Sequence, residues 1–448
     1  MIPADVRVVA MVSNDSLTGD STRRAVLRRG ASAVAAGLAA ATAGCTSALP
    51  PLGSAQRFGR IDVPDADPPR YRRWLPAPAA VDGFDAEHYA YLFRRPSALD
   101  YPAPVRFTTP RKRLLSYLDH VGVGYANYDA LLNTPFGTVL AGGFDPAAVT
   151  ETLTRSGYAA AGSVGDYDLF ARDDVPRRAA VGDGVVVWSS RRVHDHPRIE
   201  ALLDARAGRR ARYHDADAGV ARLTDAVGES RMVEYIPPSD ARYWQKCEGF
   251  RFDGGTAYHV MTFLYPEVRT PPEAELRDRA VDGTVLTREV ENSDFRIDGR
   301  LVVVEGRIPP GDGVDPDGIT PPYPPQVTWG YARDTDASTV TLRHEAGAHV
   351  PTAALGYQFD ADAPDDWLVF PEPRPLPTDA ETFAPGERVT VSLPETPTVE
   401  AIPFDAIDRD ADDPFAATES RPATRLDLLY APGSSDRPVF TVPLEGSS

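Results

Sequence analysis

His194-Asp195-His196 is the densest group of potential metal ligands in this 448-residue chain. In a strand, His194 and His196 would face one side, as some metal sites require. Tyr213-His214-Asp215-Ala216-Asp217 offers the nearest further ligand, His214. Three imidazoles could hold a transition metal for hydrolysis. A plainer role competes: Asp195 or His196 can cap a helix opened by Pro197. Asp312-Gly313-Val314-Asp315-Pro316-Asp317-Gly318 alternates oxygen donors in a manner that suits Ca²⁺, but lacks the closing Glu of an EF-type loop. His344-Glu345 could supply a general base, or simply mark the end of a strand. Cys247 beside Lys246 is either an activated thiol or a small buried hydrophobe. Ser189-Ser190 and Ser434-Ser435 lack the turn that presents a nucleophilic serine. Phosphate-binding and dinucleotide-binding glycine loops are missing, as are paired-cysteine metal motifs.

A different chemistry belongs to the leader. Thr22-Arg23-Arg24-Ala25-Val26-Leu27-Arg28 precedes an Ala-rich apolar run, Ala31 to Ala43. That run is shorter than the roughly 20 residues a bilayer span needs and reads as a signal-peptide core. Thr42-Ala43-Gly44-Cys45 follows. The order resembles a twin-arginine export signal, with Arg23 and Arg24 as its pair, ending in a lipobox. The resemblance implies export of a folded chain and a lipid on Cys45. Two acyl chains would hold the protein stably in the membrane, whereas one would be marginal. Thr42 departs from the Leu more usual in a lipobox. Met1 and Met11 are both candidate starts, since Met1 to Ala10 adds nothing a signal needs.

The formal net charge is −18 and the pI about 4.9. Only Lys112 and Lys246 among the 47 basic residues are lysines. Acidic, Arg-rich and Lys-poor composition resembles that of haloarchaeal proteins. In molar salt the Debye length is about 3 Å, so such a surface keeps the protein hydrated rather than steering ligands. Without a basic stripe outside the leader, a nucleic-acid partner is not expected. With Cys45 lipidated, Cys247 has no disulfide partner in the chain.

The elements that must position these residues follow from periodicity. Residues 1–45 are the leader, and 46–104 form a Pro- and Asp-rich tether whose aromatics (Tyr71, Trp74, Tyr89, Tyr91) pack onto the next domain. A short helix is expected after Thr109-Pro110, carrying Arg111-Lys112-Arg113 in its first turn. Residues 105–308 read as two strand–helix–strand–strand units. The first has a strand at Thr138–Ala141, a helix capped by Asp145-Pro146 and stopped at Gly157, a strand at Tyr167–Phe170 and a hairpin over Asp183-Gly184. Helices at Pro197–Ala207 and Asp217–Val227 and a strand at Met232–Ile236 follow. The second unit has a strand at Tyr258–Tyr265, a helix opened by the capping box at Thr270-Pro271-Pro272-Glu273 and a hairpin over Asp298-Gly299. The expected fold is therefore α+β: a duplicated ferredoxin-like sandwich, then a linker at 309–325, then a β-sandwich over 326–448.

That last module should hold about seven strands: Val327–Tyr331, Thr339–Arg343, Leu355–Phe359, Trp367–Phe370, Arg388–Leu393, Arg425–Tyr430 and Val439–Val442. The stretch Val340 to Pro351, containing His344-Glu345-Ala346-Gly347, resembles a block of haloarchaeal pilin-type β domains. So do Phe383 to Val391 and the hairpin Arg425 to Leu444. The assembly helix of a pilin is absent. The resemblance implies a borrowed fold and an envelope setting, and no activity.

Together these readings lead to a non-enzymatic cell-envelope lipoprotein on the extracytoplasmic face of the membrane. It would be a binding or structural accessory for an envelope protein or glycan, with no cofactor. The competing expectation is an extracytoplasmic metal-binding protein or metal-dependent hydrolase using His194, His196 and His214. A transporter's solute receptor fits less well, because two lobes of alternating strands and helices do not accommodate an all-strand final quarter.

Overall fold

A computed structural model of the chain describes residues 57–58, 61–98, 118–174, 176–239, 244–253, 256–266, 290, 292–308, 324–364, 366–407, 415–430 and 437–444. These all fall in one compact unit, Gln56–Ser448. The export arginines Arg23 and Arg24, the lipid acceptor Cys45, the helices expected after Thr109 and Thr270, and the Asp312–Gly318 loop lie outside the described residues.

One sheet organises the molecule. Its strands are β1 (Arg57–Phe58), β2 (Tyr91–Arg94), β3 (Ala130–Thr134), β4 (Gly137–Ala141), β5 (Ala159–Val164), β6 (Tyr167–Arg172), β7 (Arg177–Gly182), β8 (Val185–Ser190), β9 (Met232–Ile236), β10 (Gln245–Asp253), β11 (Thr256–Leu264), β12 (Asn292–Asp298) and β13 (Leu301–Ile308). They run in the order β1-β12-β13-β11-β10-β9-β2-β3-β4-β8-β7-β6-β5. Every pairing is antiparallel except the short parallel edge of β1 on β12.

This architecture corrects the expected duplicated ferredoxin-like α+β sandwich. The strands of both expected units lie in the same sheet, and the described chain is mostly strand, with four α-helices: α1 (Pro146–Arg155), α2 (Ile199–Arg206), α3 (Tyr213–Ala216) and α4 (Ala218–Val227). The cause lies in strands that periodicity hid. β5 is Ala-Ala-Ala-Gly-Ser-Val, an exposed edge strand with no apolar alternation to reveal it. β10 carries Lys, Glu, Arg and Asp among its nine residues. β2 and β3 are short. β9 and β2 pair at the centre and join the two halves into one surface.

Local signals act as their chemistry dictates. Asp145 accepts from the Ala147 amide at 3.0 Å and starts α1. Asp217 does the same for α4 through the Gly219 and Val220 amides. Gly184 and Gly299 take φ of 64° and 58° in the two tight hairpins.

The two sheet faces differ. On one face α2, α4 and the 3₁₀ turn Arg70–Trp74 pack against Val139, Ala180, Val187, Tyr235, Cys247 and Val303. On the other face, α1 covers Leu131, Leu140, Phe170, Ala179 and Val186.

The final quarter of the chain docks beside α1. It opens with β14 (Val327–Asp334) and β15 (Thr339–Gly347), which pairs onward with Arg388–Ser392. A second sheet, built on Leu355–Asp360, Arg425–Tyr430 and Arg437–Pro443, closes over the first. Trp329, Leu342 and Val391 meet Phe359, Leu428 and Val442 in a shared core. The strands Thr398–Pro403 and Glu419–Pro422 were not expected; with Trp367–Phe370 they form a third small sheet.

Candidate functional site

The last residue of β6, Arg172, sits directly opposite the first of β7, Arg177. Like charges facing each other across two strands repel, and both side chains are only 3 % exposed. Two buried cations survive there because each has its own acid. Arg177 donates from Nη1 to both oxygens of Asp119 at 2.7 and 2.9 Å, and from Nη2 to the Trp329 carbonyl at 2.9 Å. Arg172 pairs with Asp174 and with Glu345 of β15, and also donates to the Ser156 carbonyl. Burial opposes the Arg172 charge, but the hydrogen-bonded carboxylates of Asp174 and Glu345 outweigh it and raise its pKa.

Further hydrogen bonds extend this seam. Tyr158 donates to Asp119 at 2.5 Å, and Trp188 Nε1 donates to the Tyr158 oxygen at 2.9 Å. Burial, then the Asp119 carboxylate, push the Tyr158 pKa up, so the phenol stays protonated. Gln326 donates to the Asp119 carbonyl at 2.9 Å, and the His120 amide donates to Thr328 Oγ1 at 2.8 Å. The seam thus ties the sheet to the final quarter of the chain through paired charge and backbone.

Beside the seam a half-open cleft of about 90 Å³ remains between the end of β8 and the last strand. Asp119 and Arg177 line it, with Trp188, Trp329 and Phe440 as aromatic walls and Ser190, Arg192 and Thr441 contributing polar groups. Thr441 is engaged, donating to Asp427 Oδ1 at 2.6 Å. Arg192 differs from the seam arginines. Its guanidinium lies 5.1 Å from the centre of the Phe440 ring, and among the described residues no carboxylate pairs with it. The residue is open to solvent, yet the surrounding protein crowds its head group and pushes its pKa down to about 10. The charge of Arg177 adds to that shift, while Tyr331 and Asp427 oppose it.

No protein-family model matches this chain, and no curated protein matches it. Among solved structures, crystal forms III and I of TP0453 are similar to it over 52 % of this chain and 94 % and 92 % of theirs. The identities are 10 % and 12 % and the TM-scores 0.31 and 0.33. Likeness of that degree says nothing about the fold or activity of this chain.

The histidines singled out by sequence do not gather. His194 is 2 % exposed and lies under Trp188 at 5.6 Å between ring centres. Its Nδ1 accepts the Ser190 amide at 3.1 Å, and its Nε2 lies 3.1 Å from Thr138 Oγ1. Both nitrogens are therefore engaged by the fold, and burial lowers its pKa to about 4. His196 is exposed and meets the edge of Phe84 instead. His214 lies in α3, half-buried, with Nε2 3.4 Å from Asp215. Burial lowers its pKa and Asp215 works against that shift. Among the described residues no three His, Cys, Asp or Glu side chains are grouped to hold a metal ion.

Other candidates are redirected. Neither Asp195 nor His196 caps a helix: α2 starts at Ile199, and its preceding residue, Arg198, makes no side-chain cap. His344 and Glu345 lie inside β15 rather than at its end. His344 is buried and reaches the Ala348 carbonyl at 2.8 Å, while Glu345 belongs to the seam. Cys247 is buried, and burial followed by the Glu248 charge raises its thiol pKa. Lys246 points to the opposite sheet face, where it pairs with Glu248 at 2.9 Å.

The seam arginines escaped the sequence reading, although a signal existed. In β6 and β7, Phe170, Ala179 and Val181 face α1, and strand alternation puts Arg172 and Arg177 on that same inward face. A charge at an inward position requires a buried partner.

Proposed function

We propose that this chain is a non-catalytic binding protein of an extremely saline cell envelope, held on the outer face of the membrane by a lipid on Cys45. The seam is the observation that carries this reading. Its buried charges pair with one another at the joint between sheet and final quarter, which fixes that joint and leaves the adjoining cleft with a preset shape. Preset clefts favour recognition, because little ordering entropy is lost on binding. Export in the folded state suits a chain whose sheet and final quarter are joined by buried ion pairs. The partner in this reading is an envelope protein or a surface glycan.

Two measurements test it. Cys45→Ser should move the protein from the membrane fraction to the medium, and unchanged fractionation would overturn the anchor. The full chain, used as bait in molar salt against envelope extract, should retain a specific component without altering it. Chemical conversion of the retained component would overturn the non-catalytic reading.

A further inference from the structure

We infer that the cleft beside the seam is a site for a small monocarboxylate, with Arg192 as its counter-ion. The inference rests on the binding-protein reading and names the chemistry of what is bound. Three observations converge. Arg192 is a cation without a carboxylate partner among the described residues, at a cleft whose other arginine, Arg177, already pairs with Asp119 and donates to the Trp329 carbonyl. The Phe440 ring holds the Arg192 head group at the mouth, 5.1 Å away, and leaves its N–H fork available. The walls behind it are aromatic, from Trp188 and Trp329.

Size and charge narrow the class. A water molecule needs about 10–15 Å³ of space open to its centre, so about 90 Å³ of such space has room for a carboxylate with a short carbon body. The carboxylates of Asp427 and Asp174 lie within electrostatic reach of Arg192, which disfavours a dianion such as phosphate. A planar monoanion matches the guanidinium fork with two parallel hydrogen bonds. The carboxylate can belong to a free short acid or to an acidic side chain of a protein partner.

Saturation-transfer NMR on the full chain in molar salt tests this, with propionate against its uncharged isostere propionamide. A short peptide bearing one Glu, against the same peptide with Gln, forms the second arm. Propionate or the Glu peptide should bind saturably, and the amides should not. Tighter binding of the peptide assigns the carboxylate to a protein partner, and tighter binding of propionate assigns it to a free acid. Arg192→Gln should weaken binding by about tenfold or more, the scale of one charged hydrogen bond. Arg192→Lys should lose less, and Arg191→Gln nothing. Equal binding of acid and amide, or full binding by Arg192→Gln, overturns the site. The bait experiment repeated with Arg192→Gln separates the two readings. Capture that persists leaves the binding protein standing without this site, and capture by neither form removes the binding protein itself.

Discussion

Arg177 and Arg192 line the same cleft and differ in one respect. Arg177 is buried, with two carboxylate contacts and a carbonyl. Arg192 is open to water and has an aromatic ring for company. A buried charge without a partner costs several kcal/mol, so the fold must supply Asp119 wherever it places Arg177. A charge nearer the rim keeps part of its hydration and costs less to leave unpaired, although crowding by the protein still pushes the Arg192 pKa down. The first arrangement holds the molecule together, and the second leaves a functional group free for something else. The seam should therefore be sensitive to substitution in stability, and the cleft mouth in binding alone.

The largest expected effect comes from breaking the seam. Asp119→Ala strands Arg177 and removes the Tyr158 hydrogen bond, and should cost about 3–5 kcal/mol in chemical denaturation. Asp119→Leu combined with Arg177→Met should recover much of that loss, since two apolar groups leave no orphaned charge. Equal loss in single and double variants would mean that shape, and not charge, holds the joint.

His194 probes the wall shared by both regions, because it lies under Trp188. Its pKa is about 4 in the fold and about 6.5 in an unfolded chain. Above pH 6.5 both states are neutral and the difference contributes nothing. As pH falls, the unfolded chain takes up the proton first, so stability declines between about pH 6.5 and 4, by about 3 kcal/mol in full. Denaturation midpoints at pH 7 and 4.5 should fall further for the natural chain than for His194→Gln. Equal falls would show that other groups carry the acid sensitivity.

A smaller effect tests how tightly the seam is set. At Gly330 an added methyl would run into the Glu345 carboxylate. A free Glu would swing aside, but Glu345 is held by Arg172. Gly330→Ala should cost about 1–3 kcal/mol by overpacking, and less when added to a Glu345→Ala chain, where the blocking carboxylate is gone. The smallest effect belongs to Arg192→Gln, whose unfolding free energy should change by less than about 0.5 kcal/mol. A shift approaching that of Asp119→Ala would erase the distinction between the two arginines.

Features that depend only on near neighbours in the chain were legible in the residues themselves. The Asp145 and Asp217 caps and the glycine turns at Gly184 and Gly299 involve a few residues each, and their chemistry is complete within that span. Contacts between distant parts of the chain set the remainder. Asp119 meets Arg177 across 58 positions, Trp329 meets Arg177 across 152, and Glu345 meets Arg172 across 173. Pairing β9 with β2 merged the two expected units into a single sheet. Burial under Trp188 turned His194 from a candidate ligand into a core residue with both nitrogens engaged. Whether a charged side chain is buried and paired or left at a rim depends on the solvent that the finished fold admits to it, and periodicity within one strand carries no information about that solvent.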